Sequence, residues 1–300
     1  MSKRMKEVLK QLGLQAFLLL IVTTSVMFPI LWVVSLALDP RNIDKPLDLR
    51  LIPPGASFTA FRRVLIEPFG LLCRNPTDPS TCMTFALLLK NSLLVALGTA
   101  LIAVLLGATA AYAFSRFKFI GRQGGMLMFI ILQMLPTTAT LATLFVLLSQ
   151  IRIGGESLRL THPGLMLAYA SGALPFAVWN LKGYFDTVPK ELEEAARIDG
   201  ASVAQTFFRI ILPLSVPSLA VTVLFSFMTG WTEFVMAWTF LENPSRFTLA
   251  MALRSMQGQF ATPWSDFAAM SILMTIPIVV LFFLLQRYLV SGLTVGGVKG

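Results

Sequence analysis

Charge is scarce in this chain of 300 residues: Asp, Glu, Lys and Arg make up 13% of it, histidine occurs once and cysteine twice. Six runs of twenty residues or more hold no Asp, Glu, Lys or Arg at all: 11–38, 91–115, 123–151, 160–181, 210–232 and 267–286. Each shortage excludes some chemistry. The single histidine, His162, cannot by itself assemble the three or four ligands of a zinc or iron site, so neither a metal centre nor a resident cofactor is expected. No GxxxxGK[ST] stretch is present, so the chain should not cradle nucleotide phosphates itself. Proton- and ion-coupled carriers keep ionisable relays within their spans, and the six runs offer none, which counts against a self-powered carrier. No catalytic residue emerges, and the chain does not read as an enzyme.

Apolar length is what the sequence has in abundance, with 56% hydrophobic residues. A helix needs ~20 mostly apolar residues to cross a hydrocarbon core of about 30 Å. All six runs qualify, and helices satisfy their backbone groups internally where water is absent. Core helices of a soluble protein would not repeat six times at this length. The expectation is an all-α membrane protein with six transmembrane helices, kinked at Pro29, Pro136, Pro175, Pro217 and Pro277. The first run follows a basic stretch but exceeds the roughly 7–15 apolar residues of a cleaved signal, so it reads as a retained anchor.

The net charge of +9 raises nucleic acid as a partner. The basic residues collect at the ends of the runs instead, so a lipid bilayer is expected and nucleic acid is not. Lys3, Arg4, Lys6 and Lys10 precede the first run and place the N-terminus in the cytoplasm. An even number of spans puts the C-terminus there too. The organisation that follows is a cytoplasmic N-terminus over 1–10, the first span over 11–38 and an outer loop over 39–90. A core of five spans over 91–286 and a cytoplasmic tail over 287–300 complete it.

The outer loop contains "CRNPTDPSTC", whose turn-forming residues can bring Cys73 and Cys82 together, and a disulfide is permitted on that face. A second outer piece includes "SMQGQFATPW". Its Gln257, Gly258, Gln259, Phe260 and Trp264 combine a bent tip with amides and aromatics suited to touching sugars or an adaptable protein surface, the plainer alternative being a loop folded on its own bundle. Within the runs, Gln133, Thr137, Thr138 and Asn180 either line a path or bond neighbouring helices.

One stretch on the cytoplasmic side, "EAARIDGASVAQTFFRIILP", concentrates charge and aromatics around a glycine. Asp186 or Thr187 can cap a helix whose first turn holds Pro189, Glu191, Glu193 and Glu194. Gly200 suits a left-handed turn at its end, and Ser202 can cap a second helix carrying Val203, Phe207 and Ile210. Ala195 and Ala196 leave a flat spot for close approach. A hairpin over 187–213 is therefore expected. The plainer alternative is an amphipathic loop in the headgroups, with Arg197 and Arg209 snorkelling.

This stretch resembles the EAA motif of permease subunits in ABC importers. Glu194, Ala195, Ala196, Gly200, Ile210, Leu212 and Pro213 keep every spacing, and Asp199 supplies the acid before the glycine. The C-terminal "GLTVGGVKG" and "WTEF" at 231–234 are similar to the MalG-like permeases of maltose and maltodextrin importers, and the likeness runs over nearly the whole chain. The cysteine pair is not assigned to that family.

The resemblance implies a type-I ABC importer permease fold in a bacterial or archaeal cytoplasmic membrane. It also implies a second, different, MalF-like permease, two copies of an ABC ATPase below, and an extracytoplasmic sugar-binding protein above. The hairpin would dock on the ATPase, with Glu194 and Asp199 as polar contacts, Ala195 and Ala196 at the close approach, and Phe207 and Phe208 as anchors. The loop with Gln257 would meet the binding protein. The glycine-rich end, Gly296, Gly297, Val298, Lys299 and Gly300, would reach into the ATPase dimer, the plainer alternative being a frayed cytoplasmic end. Importers of trehalose, multiple sugars or glycerol phosphate share this architecture; a stand-alone secondary carrier is the rival from another class.

Overall fold

The structure is a computed structural model that describes residues 3–43, 50–73, 78, 82–258 and 262–295. It divides into two compact units, 1–67 with 255–275, and 68–254 with 276–300.

In the first unit, α1 (Lys3–Ala37) is one helix through Pro29. Its apolar window is unburied, as a helix whose surroundings are lipid or another chain would be. A short α2 (Thr59–Ile66) follows. Asn42, at φ 48°, accepts from the backbone N–H of Ser265 at 3.1 Å and donates to Asp266 at 3.0 Å. Arg63 reaches the same carboxylate at 2.7 Å. One amide thus ties the loop after α1, and one guanidinium ties α2, to the start of the last helix.

The second unit opens with a small antiparallel ribbon, β1 (Phe69–Cys73) and β2 (Cys82–Met83). Its register sets Cys73 opposite Cys82, and Cys82 is disulfide-bonded. The long α3 (Phe85–Arg116) comes next, followed by α4 (Arg122–Met134) and α5 (Thr137–Gln150). A tight hairpin, β3 (Arg152–Ile153) with β4 (Glu156–Ser157), leads into α6 (His162–Phe185). Then come α7 (Glu191–Ile198), α8 (Val203–Thr206), a π turn at Phe207–Ile211, α9 (Leu212–Leu214) and α10 (Val216–Thr232). Finally come α11 (Val235–Phe240), a 3-10 turn at Pro244–Arg246 and α12 (Leu249–Ser255); the last helix, α13 (Trp264–Val295), belongs to the first unit up to Thr275 and to the second from Ile276 on.

Among the described residues, four helices are long and apolar enough to cross a membrane, in α1, α3, α6 and α13. The third and fifth apolar runs are instead bent pairs, by 105° between α4 and α5 and by 80° before α10. The first break falls at Leu135 and Pro136, both extended with ψ near 135°, because a residue before proline is pushed out of the helical region. The second falls at Ser215, just before Pro217 in the first turn of α10. Kinks were expected at these prolines; full breaks are what form.

The core is built on close helix approach. A side-chain carbon added at Gly107 of α3 would lie 2.8 Å from the Cβ of Ala177 in α6. One added at Gly230 of α10 would lie 2.9 Å from the Cα of Ala96 in α3. Small residues let three backbones pack without a hydrophobic drive between them, as membrane bundles require. The other face of α3 exposes Leu94, Leu97, Leu101 and Leu105 at helical spacing.

Candidate functional site

The hairpin forms, with its caps placed differently at the start and as expected at the turn. Asp186 does not cap α7. It ends α6 in a right-handed helical conformation, accepting from Ser115 Oγ at 2.6 Å and Lys182 Nζ at 2.5 Å. Burial pushes its carboxyl up, but the bonds from Lys182 and Ser115 prevail and hold it below the usual aspartate value. Thr187 donates back to the carbonyl of Tyr184 at 2.7 Å. Helix α7 therefore begins after Pro189, at Glu191, with Lys190 at its N-cap and no side-chain cap. Glu191, Glu193 and Glu194 fill its first turn, where the helix dipole favours acids.

The turn follows from two local rules. Gly200 has φ 84°; its N–H bonds to Arg197 O at 3.0 Å and that of Ala201 to Ala196 O at 2.9 Å, the paired bonds of a Schellman stop. Ser202 Oγ then accepts from the N–H of Gln205 at 3.2 Å, while Gln205 Oε1 accepts from that of Ser202 at 2.8 Å. This reciprocal cap starts the second arm at once, so the two arms meet at a fixed angle.

The expected docking residues separate into three groups. Glu194, Ala195, Asp199, Gly200, Phe208 and Pro213 are exposed, while Ile210 and Leu212 are half-buried. Ala196 and Phe207 are buried. Phe207 packs on the ring of Tyr112 at 4.9 Å, within a cluster that includes Phe185 and Ile211, so this chain's own core occupies it. Phe208 remains the outward ring of the pair. With Leu192, Val203 and Ile198, the last 87% exposed, it gives the hairpin an apolar outer surface.

Sequence reasoning missed the root of the hairpin. Glu193 is buried and accepts from Tyr112 Oη at 2.8 Å; Arg116 Nε donates to its other oxygen. Arg116 also donates to the carbonyl of Val188 at 2.8 Å. Arg122 crosses from α4 to the carbonyls of Phe114 at 2.7 Å and Ser115 at 3.2 Å. The only sequence signal was an arginine closing an apolar run, four residues after a tyrosine.

Elsewhere, Asn180 of α6 donates to Ser218 O, Ser218 Oγ and Thr222 Oγ1 of α10, all within 3.2 Å, so it bonds a neighbouring helix. Gln133 is exposed, and the side chains of Thr137 and Thr138 lie outside the described residues. Gln257 and Gly258 are exposed and Trp264 opens α13. Gln259, Phe260 and the tail from Gly296 to Gly300 lie outside the described residues. Among the described residues, no group of three or more His, Cys, Asp or Glu is placed to hold a metal.

Residues 103–295 match the family described as "Binding-protein-dependent transport system inner membrane component". The chain is 38% identical over 287 residues to the maltose/maltodextrin transport system permease protein MalG of Yersinia pestis, covering 95% of this chain and 92% of that protein. It is 41% identical over 215 residues to the maltodextrin transport system permease protein MdxG of Bacillus subtilis, covering 70% and 74%. A bacterial ABC transporter involved in alginate import has a chain with the same fold at 18% identity and a TM-score of 0.71, over 96% of this chain and 99% of that one. The chain belongs to the binding-protein-dependent transport system inner membrane components, as a MalG-like, multi-pass protein of the cytoplasmic membrane.

Proposed function

We propose that the chain is a permease subunit of an ATP-driven carbohydrate importer of the maltose and maltodextrin class, forming half of the path and leaving hydrolysis to a separate ATPase. The observation that carries this reading is the hairpin: two short helices meet at a left-handed glycine, and their outer surface offers Leu192, Ile198, Val203 and Phe208 beside Glu194 and Asp199. An exposed apolar ridge rimmed by charge is equipment for a protein groove. Its EAA spacing points to an ABC ATPase as that groove.

In this reading each bent helix pair is one span, making six, with both termini and the hairpin in the cytoplasm. A MalF-like permease supplies the other half of the path, two ATPase copies sit below, and an extracytoplasmic sugar-binding protein docks above. The loop with Gln257, Gly258, Gln259, Phe260 and Trp264 meets that binding protein; cross-links from Gln257 confined to this chain would count against it. The tail from Gly296 to Gly300 enters the ATPase dimer. Its deletion should lower sugar-stimulated hydrolysis with assembly intact, and unchanged hydrolysis would refute the role. A Cys73–Cys82 bridge pins the outer ribbon; an impermeant thiol reagent should label intact cells only after reduction.

The whole reading is tested by reconstituting the chain with its neighbouring permease, ATPase and binding protein in proteoliposomes. Uptake of maltotriose should require ATP and the binding protein. Uptake that ignores ATP but collapses with an uncoupler would make the chain a secondary carrier. ATP-driven uptake of trehalose, another sugar or glycerol phosphate, without maltotriose, would move it to a different importer.

A further inference from the structure

The chain joins the hairpin covalently to α6 and α10, yet its strongest bonds run to α3, to which no short connection leads. Both carboxylate oxygens of Glu193 are taken by α3, one by Arg116 Nε and the other by Tyr112 Oη. The side chains of Arg116 and Glu193 are each 5% exposed, so neither charge has water as a substitute partner. Arg116 also holds Val188, in the strand of chain entering α7, and Ser115 holds Asp186 at the end of α6. Tyr112 touches both arms: its hydroxyl bonds Glu193 of the first, and its ring lies 4.9 Å from that of Phe207 in the second.

We infer that Arg116 and Glu193, with Tyr112, are a latch that makes the last turn of α3 move as one body with the hairpin, so that displacement of the hairpin is delivered to α3 as well as to the helices it is chained to. Arg116 and Glu193 are positioning residues. They are buried beneath the hairpin's outer surface and act through it. A hairpin anchored only by its covalent ends would pivot about residues 186–190 and 211–215. The latch closes that hinge, because pivoting would strand a buried carboxylate and a buried guanidinium without partners. The close contacts of α3 at Gly107 with Ala177, and at Ala96 with Gly230, then pass its movement into the bundle. The inference rests on the hairpin being the element that meets the ATPase.

The test uses the assembled complex in proteoliposomes, with Arg116→Glu, Glu193→Arg and the double reversal. Each reversal alone should retain ATPase subunits and hydrolyse ATP but move at least tenfold less sugar per ATP. The double reversal should recover much of that ratio, which a loss of mere packing would not. Single reversals with the wild-type ratio would overturn the latch, as would a double reversal no better than either single. If a reversal fails to assemble, Glu193→Gln and Tyr112→Phe replace it with the same expected direction.

A second readout does not depend on the ATPase. Spin labels at Ala204 and Leu94 in the isolated permease should give a narrow distance distribution that broadens with Glu193→Gln. An unchanged width would sink the latch even if the hairpin still couples, whereas normal broadening with ATP-independent transport would sink the parent reading and leave the latch.

Discussion

The two ends of α3 are held by different chemistry. At its N-terminal end, Asn91 donates to the carbonyls of Ser245 and Phe247, both at 2.9 Å, and Ser92 Oγ accepts from the N–H of Leu249 at 2.7 Å. These bonds are neutral and run from side chain to backbone, so they hold a loop whatever its side chains are. At the C-terminal end the bond is ionic and joins two particular side chains, Arg116 and Glu193. A neutral clamp fixes a static loop at small cost. A buried ion pair earns its desolvation only where its geometry is met, and it punishes any arrangement that separates it. The difference assigns a fixed end and a driven end to one helix.

That contrast sets the order of expected effects. Removing one buried charge, as in Glu193→Ala, should destabilise the folded permease by about 3–5 kcal/mol, read as a lowered midpoint of thermal unfolding in detergent. The neutral clamp is weaker. Asn91→Leu strands two carbonyls and should cost about 1–3 kcal/mol in the same measurement. Equal losses at the two ends would erase the distinction, and a larger loss at Asn91 would reverse it.

The next effect is local to the hairpin. A side-chain carbon at Gly200 would meet nothing within 4 Å, so only its φ of 84° resists substitution. Gly200→Val should therefore cost about 1–2 kcal/mol, and Gly200→Asn less, since asparagine tolerates the left-handed region. Stability should fall modestly while sugar-stimulated hydrolysis falls steeply, because the angle between the arms changes. Normal ATPase binding and hydrolysis in the valine variant would detach the hairpin from coupling.

What was legible in the sequence was local or periodic. Apolar runs gave the long helices, Gly200 its left-handed stop and Ser202 its cap, because each depends on a few consecutive residues. The bends at Pro136 and before Pro217 were legible as kinks but not as breaks, since the surrounding packing decides how far a proline opens a helix. The misplaced cap at Asp186 has a similar origin: Lys182, one turn back, and Ser115, 71 residues away, compete for its oxygens. The latch was not legible at all. Arg116 and Glu193 stand 77 residues apart, and Glu193 sits beside Glu191 and Glu194, which look alike in sequence but stay exposed. Phe207 and Phe208 pose the same difficulty, because adjacent rings take opposite faces only once the π turn has set them.

The smallest effect separates exposed from buried ionic bonds. Beside the neutral clamp, Arg246 holds Glu156 with two parallel bonds, at 2.7 and 2.9 Å, on the surface. The hydrogen bonds from Arg246 keep the Glu156 carboxyl below its ordinary value of 4.5. A depressed carboxylate stabilises the fold fully above the unfolded value, and that contribution disappears as pH falls through the lowered one. The difference in unfolding midpoint between the wild type and Glu156→Gln should thus be small at pH 7, shrink on acidification below 4.5 and vanish once the pH has passed the lowered value. Salt should shrink it too, since exposed charges are screened over roughly 10 Å at 0.1 M. The Arg116–Glu193 pair, shut away from solvent, should keep its contribution at the same salt. If added salt weakens the buried pair as much as the exposed one, water reaches the root of the hairpin and the driven end of α3 is looser than its bonds imply.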